Sequence, residues 1–524
     1  MVILVTSQES IPLNGPTRGW RVNYGFWLRV GILAGVTSVT IAVHAKYMMK
    51  PLAFTFRQLL LLFICQAVSY PFVSMGIASF VGFPIPFFAL STFPVFFTLL
   101  LAWFTAIVGR KTAKDMLKRS DQVNIHVRFM CAQMLLPVVY PIYEVLFVAA
   151  SNTHFELPVI LLLPILKVLM KYLITLSLAP MEDMLPESVI LTVDFFHAVY
   201  LATCMQSSRS LTTMSIIIIV DVSQSLSMLS GLYRRSRTTL ARAHRAAGIS
   251  TDKTSLASLL CLICSSSEKM DKQNLNGIRI RSCLLHTLSP ANQHILHRLE
   301  SLRKRRSAAR SSSRGSSSAY LLRIIPTKKP ACGSQICARM CWWQRRNMIQ
   351  PFPSARTSVF PASTTEDPSG DRRSSRRSSL MYRRSNILRE GLEALFTSEC
   401  LVLASYLHTS IALFYASFVE VMVYLPSARY HTELRDVTPD NVQDTVKFVF
   451  VFGALEFVSF ALLAVMIYEK YGMQALYHLA FVLETQVALV QGKVMMWMLI
   501  ILAFRVVHFG VDFTLKFAWM KDVE

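Results

Sequence analysis

The chain has 524 residues, 53% of them hydrophobic and only 16% charged, with a mean hydropathy of +0.42. A soluble domain carries about 25% charged residues, so this balance excludes an ordinary water-soluble globular protein. The net charge is +23. Residues 233–390 hold roughly 31 Lys and Arg against 8 Asp and Glu, so the whole basic excess lies in one segment. In so apolar a chain the positive-inside rule accounts for that excess, and nucleic-acid binding is not expected.

The pattern predicts an all-α fold, a polytopic transmembrane helical bundle of about nine or ten spans. It divides into an N-terminal helical region (1–232), a basic Ser/Arg-rich cytosolic loop, mostly disordered (233–398), and a C-terminal helical region (399–524). MVILVTSQES has no basic stretch before its apolar residues, so no cleavable signal is expected there.

The first spans fall at 27–44, 58–80 and 86–108, each near the roughly 20 residues that cross a bilayer core. The first is the weakest: it is short if it begins after Arg29 and carries Arg29 if it begins earlier. GRKTAKDMLKRSDQVNIHVR (109–128) is basic and is placed inside. Span 129–150 follows with Glu144, Pro137 and Pro141, and span 157–179 with Lys167, Lys171, Pro158 and Pro164. The prolines read as ordinary kinks. Span 188–206 carries Asp194 and His197, and span 211–232 carries Asp221.

Residues 233–398 interrupt this pattern. Their Ser/Arg-rich tracts bury too little apolar surface to offset chain entropy, so disorder is expected. ANQHILHRLESLRKRR (291–306) reads as a basic surface-seeking helix, and Ser379 in RRSSRRSSL as a candidate phosphorylation site. Residues 233–390 are the expected contact for anionic lipids or a cytosolic protein. The cysteines have irregular spacing, which does not suit zinc, and no other metal or cofactor is implied.

The last spans are 400–425, 446–468 with Glu456, and 494–517 with Arg505, His508 and Asp512. Those three residues stand at steps of three and four, one continuous stripe on the last helix. Segment 469–493 reads as an amphipathic helix on the inner face, with a further span as the alternative. Four spans separate the basic loop 109–128 from the long basic segment, so both fall on the inner side. With ten spans both termini lie outside; with nine, the N-terminus lies inside.

A charge at mid-bilayer costs at least about 2.5 kcal/mol, so it faces other helices or a wet cavity and takes a partner. The expected intramembrane network is Glu144, Lys167, Lys171, Asp194, His197, Asp221, Glu456, Arg505, His508 and Asp512. Within it Asp221, Glu456 and Arg505 are the candidate coupling or gating set, and Asp194 with His197 the candidate titrating pair. The sequence holds no Gly-rich phosphate loop, His-Glu-x-x-His helix or nucleophile elbow, so no enzyme is expected. Two functions remain: a transporter or channel-like protein, and a non-transporting scaffold or receptor built around the basic loop.

Overall fold

Apolar runs longer than a bilayer core dictate helices throughout, because only a helix satisfies its own backbone in lipid. The computed structural model describes residues 2–49, 54–150, 153, 155–181, 184–208, 211–247, 255–265, 283, 371–435 and 437–511. Among the described residues the protein is almost entirely helical, with no strand and one isolated bridge, His431 to Val506.

The helices are α1 (Val2–Glu9), α2 (Tyr24–Met48), α3 (Phe56–Val81), α4 (Phe93–Val108), α5 (Ser120–Met134), α6 (Leu136–Ala150) and α7 (Glu156–Ser177). Then come α8 (Leu185–Ser207), α9 (Leu211–Ala247), α10 (Leu256–Ser265), α11 (Asp371–Met422), α12 (Val442–Tyr471), α13 (Ala475–Thr485) and α14 (Val487–Arg505). Nine described stretches are long and apolar enough to cross a membrane, α5 and α6 together forming one of them. The short α4 has 16 residues. Phe88, just before it, packs on Phe26 and Phe509, while Phe104 packs on Phe54. Segment 88–108 therefore runs alongside α3, where Tyr70 meets Phe88 and Phe96.

Two units divide the chain: Met1–Ser223 with Val402–Ala461 and Leu479–Glu524, and Gln224–Leu401 with Leu462–His478. In the first, the turn after the last helix meets the segment before α2, where His508 Nε2 donates to the Asn14 carbonyl at 2.6 Å. Arg29 is accommodated near the start of α2 because it is capped from outside. Its guanidinium pairs with Glu9 at 2.6 Å and donates to the carbonyls of Glu9 and Ile11.

Several local features shape this unit. Thr55 and Gln58 form a reciprocal cap at the start of α3. Pro137 follows the break between α5 and α6, where its ring excludes a regular turn. Gly31 and Gly35 let α2 approach the Ala67 backbone and the Phe63 ring of α3, where a Cβ would collide. The two glycines form a Gly-x-x-x-Gly pattern, which suits close helix contact in a membrane. Large apolar side chains of α3, α7 and α12, among them Phe72, Ile165 and Val458, are exposed and suit contact with acyl chains. The apolar window of α8 is buried along its whole length.

In the second unit, helix extends further into the basic segment than its composition suggests. α9 continues to Ala247, and α11 is helical from Asp371, through the RRSSRRSSL tract that contains Ser379. A small apolar cluster of Leu240, Ala243, Leu259 and Ile387 supports these ends, with ion pairs Arg235–Glu393 and Arg242–Glu390. The basic helix expected at 291–306 lies outside the described residues.

The final span also differs from expectation. It begins at Val487, not 494, and ends at Arg505, where Val506 turns extended to bridge His431 and Gly510 takes φ +61°. His508 therefore sits in a 3-10 turn, not in a helical stripe with Arg505, and Asp512 lies outside the described residues. The amphipathic helix expected over 469–493 reduces to α13, because α14 starts inside that segment.

Candidate functional site

α8 carries the polar interior of the first unit. Its second turn opens into a π-helical stretch, Val189–Asp194, where Gln133 of α5 donates to Thr192 at 3.0 Å. Such stretches hold an extra residue per turn and are frequent at functional sites.

Near its start, Glu187 accepts from Lys493 of α14 at 2.6 Å, with both side chains buried. The Lys493 ammonium also lies 5.7 Å from the Phe129 ring centre, and His44 stacks on Phe129 and His126. Two turns on, Asp194 pairs with Lys171 at 2.7 Å and Lys167 at 3.3 Å, both from α7. His197 follows, its ring centre 6.2 Å from that of His408 on α11. His408 in turn groups with Asp221 of α9 and Glu456 of α12, one donor atom from each lying within 4.8 Å of the others.

Near the far end of α8, Thr203 accepts from Arg505, whose guanidinium also donates to Tyr415 and pairs with Glu433 at 2.5 Å. The Tyr415 hydroxyl sits 2.6 Å from the Gln206 side-chain oxygen. The rings of Tyr200 and Tyr415 flank the guanidinium, each centre 5.4 Å away, and Glu144 lies within electrostatic reach. Beyond the spans, Glu9 receives both Arg29 and His431. Burial pushes the Glu9 carboxyl up, but His431 and Arg29 more than offset this and hold it below the usual carboxylate range.

A scan against protein-family models, a search of curated proteins and a search of solved structures each return no match to this chain. The chemistry must therefore be read from the geometry alone.

Lys167, Lys171 and Asp194 come together as one group, with His197 within electrostatic reach of the two lysines and not paired with Asp194, and Asp221 and Glu456 as another beside His408. Arg505 joins neither. Its counter-ion is Glu433, from the loop between α11 and α12, with Glu144 nearby. His508 is not a switch near neutral pH: burial, reinforced by nearby Arg29 and His431, brings it down to about 4. Ser379 lies on a described helix, and its side chain is outside the described set.

The partners that sequence reasoning missed are Glu9, Glu187, His408, Tyr415, His431, Glu433 and Lys493. Most lie at span edges or in loops, where ionisable residues look ordinary. His408 stands in a span whose acidic residue, Glu420, lies near its far end. The one available signal was the demand of each buried cation for an acid of its own.

Proposed function

We propose that the protein is a transporter or channel-like protein that carries small cations along the polar interior beside α8. The observation that carries this reading is the column of ionisable and polar side chains from Glu187 to Gln206 on a helix with no lipid-facing residue in its apolar window. At about 1.5 Å per residue that column is roughly 28 Å long, close to the thickness of a bilayer core. Ionisable groups in that setting mark ion or proton pathways. The positive-inside rule puts the basic segments in the cytosol and the Arg505–Glu433 end outside.

The full chain reconstituted in vesicles should pass cations, read as a current under imposed proton and divalent-cation gradients. Asp194→Asn should lower that current at least tenfold without reducing insertion. Wild-type vesicles indistinguishable from protein-free ones under every gradient would end the transport reading.

A non-transporting scaffold or receptor is the second reading, favoured by the close pairing of Glu9, Glu187 and Glu433 with buried cations, which serves packing equally well. Removing residues 266–370, which spares the described helices, separates the two. A transporter keeps its current; a scaffold loses its function while the bundle still inserts.

A further inference from the structure

The group formed by Asp221, His408 and Glu456 is chemically distinct from the ion pairs around it. Each of those pairs sets an acid against a cation. Here two carboxylates and an imidazole converge from three helices, α9, α11 and α12, with one donor atom from each within 4.8 Å of the others. Asp221 is 5% exposed and Glu456 3%. One Asp221 oxygen, Oδ2, is buried without a hydrogen-bond partner.

We propose that Asp221, His408 and Glu456 bind a divalent transition-metal ion of the Mn2+, Fe2+ and Zn2+ class. The donor set argues for this class. Imidazole nitrogen suits zinc, iron and their neighbours, whereas Ca2+ and Mg2+ take shells of oxygen. Two carboxylates neutralise a divalent ion, so a charge-balanced unit forms where net charge is most costly. Bond lengths of about 2.0–2.2 Å bring tetrahedral donors to roughly 3.5 Å of one another, and donors already within 4.8 Å can close onto one ion by small side-chain movements. Three protein ligands leave a coordination position for water, as in exchangeable sites and unlike closed structural ones. His408 also lies within electrostatic reach of Lys167 and Lys171, whose positive charge weakens the hold on a cation and favours its release.

This inference deepens the transport reading and rests on it only for passage of the ion. Binding is measured separately, on the full chain purified in detergent with its thiols blocked. Equilibrium dialysis against Mn2+ or Zn2+, read by elemental analysis, should give one saturable ion per chain that is lost in the Asp221→Asn/Glu456→Gln double variant. Arg242→Ala, at an exposed ion pair, should retain it. Wild-type protein binding no more metal than the double variant overturns the site.

A second measurement does not depend on that variant folding. Mn2+ bound to wild-type protein should show nitrogen hyperfine modulation from one imidazole in pulsed electron paramagnetic resonance. A nitrogen-free Mn2+ signal also overturns the site, leaving protons as the ions held between the carboxylates. Metal bound without any current leaves the site standing and removes transport. A proton current without metal binding does the reverse.

Discussion

The ion pairs of the two units use the same chemistry in different media. In the first unit Arg505 and Glu433 are 3% and 5% exposed; in the second Arg242 and Glu390 are 57% and 33% exposed. Each joins an arginine to a glutamate at hydrogen-bonding distance. The buried arginine has no water to fall back on, so it also takes Tyr415 and Thr203 and lies between two aromatic rings. The exposed arginine is bonded to both carboxylate oxygens of Glu390, at 2.9 and 2.8 Å, yet water screens much of the attraction. Pair geometry alone therefore does not rank these contacts; the medium does.

The largest expected effect tests the buried side of that comparison. Glu433→Gln leaves Arg505 without its counter-charge and should cost about 3–5 kcal/mol of stability, read by unfolding in mixed detergent. Replacing both members with apolar residues of similar volume, Arg505→Met with Glu433→Leu, should recover most of the loss. A single variant as stable as wild type would mean that water reaches this end of the unit.

An intermediate effect comes from His508. Its folded-state value of about 4 lies below the ordinary 6.5, so the unfolded chain binds the proton more readily. Its contribution is complete above 6.5 and drains away as pH falls toward 4, by up to about 3 kcal/mol. Glu9, also held low, adds a loss as pH falls from the ordinary 4.5 through its own folded value. Thermal unfolding followed against pH should be flatter between 6.5 and 4 in His508→Phe. An unchanged slope would assign the acid sensitivity elsewhere.

The smallest effect tests the exposed side. Arg242→Ala should cost about 0.2–1 kcal/mol and less in high salt. A loss as large as that of Glu433→Gln would erase the distinction between the two media.

Much of the architecture was legible in the sequence because lipid imposes a length and a composition on every crossing. The spans containing Lys167, Asp194, Asp221 and Glu456 lie close to their expected places. The pairings were less accessible. Arg505 was expected beside Asp221 and Glu456, but its partner comes from a loop 72 residues earlier. Nothing local to Glu433 distinguishes it from a solvated acid. The end of α14 was hidden for a similar reason: VVHFGVDF is apolar enough to continue a helix, and only the bridge to His431 and the turn at Gly510 stop it. Burial is a property of neighbours, and neighbours distant in the chain leave no local periodicity.

The π-helical stretch in α8 has one more consequence. Were Val189–Asp194 to rewind as ordinary α-helix, everything beyond it would rotate by about 100° and slide by about 1.5 Å. His197 would swing away from His408, and Thr203 away from Arg505, while Glu187, before the stretch, stayed paired with Lys493. A one-residue change of winding thus couples the middle and far end of the column as a single rotor, with its near end pinned.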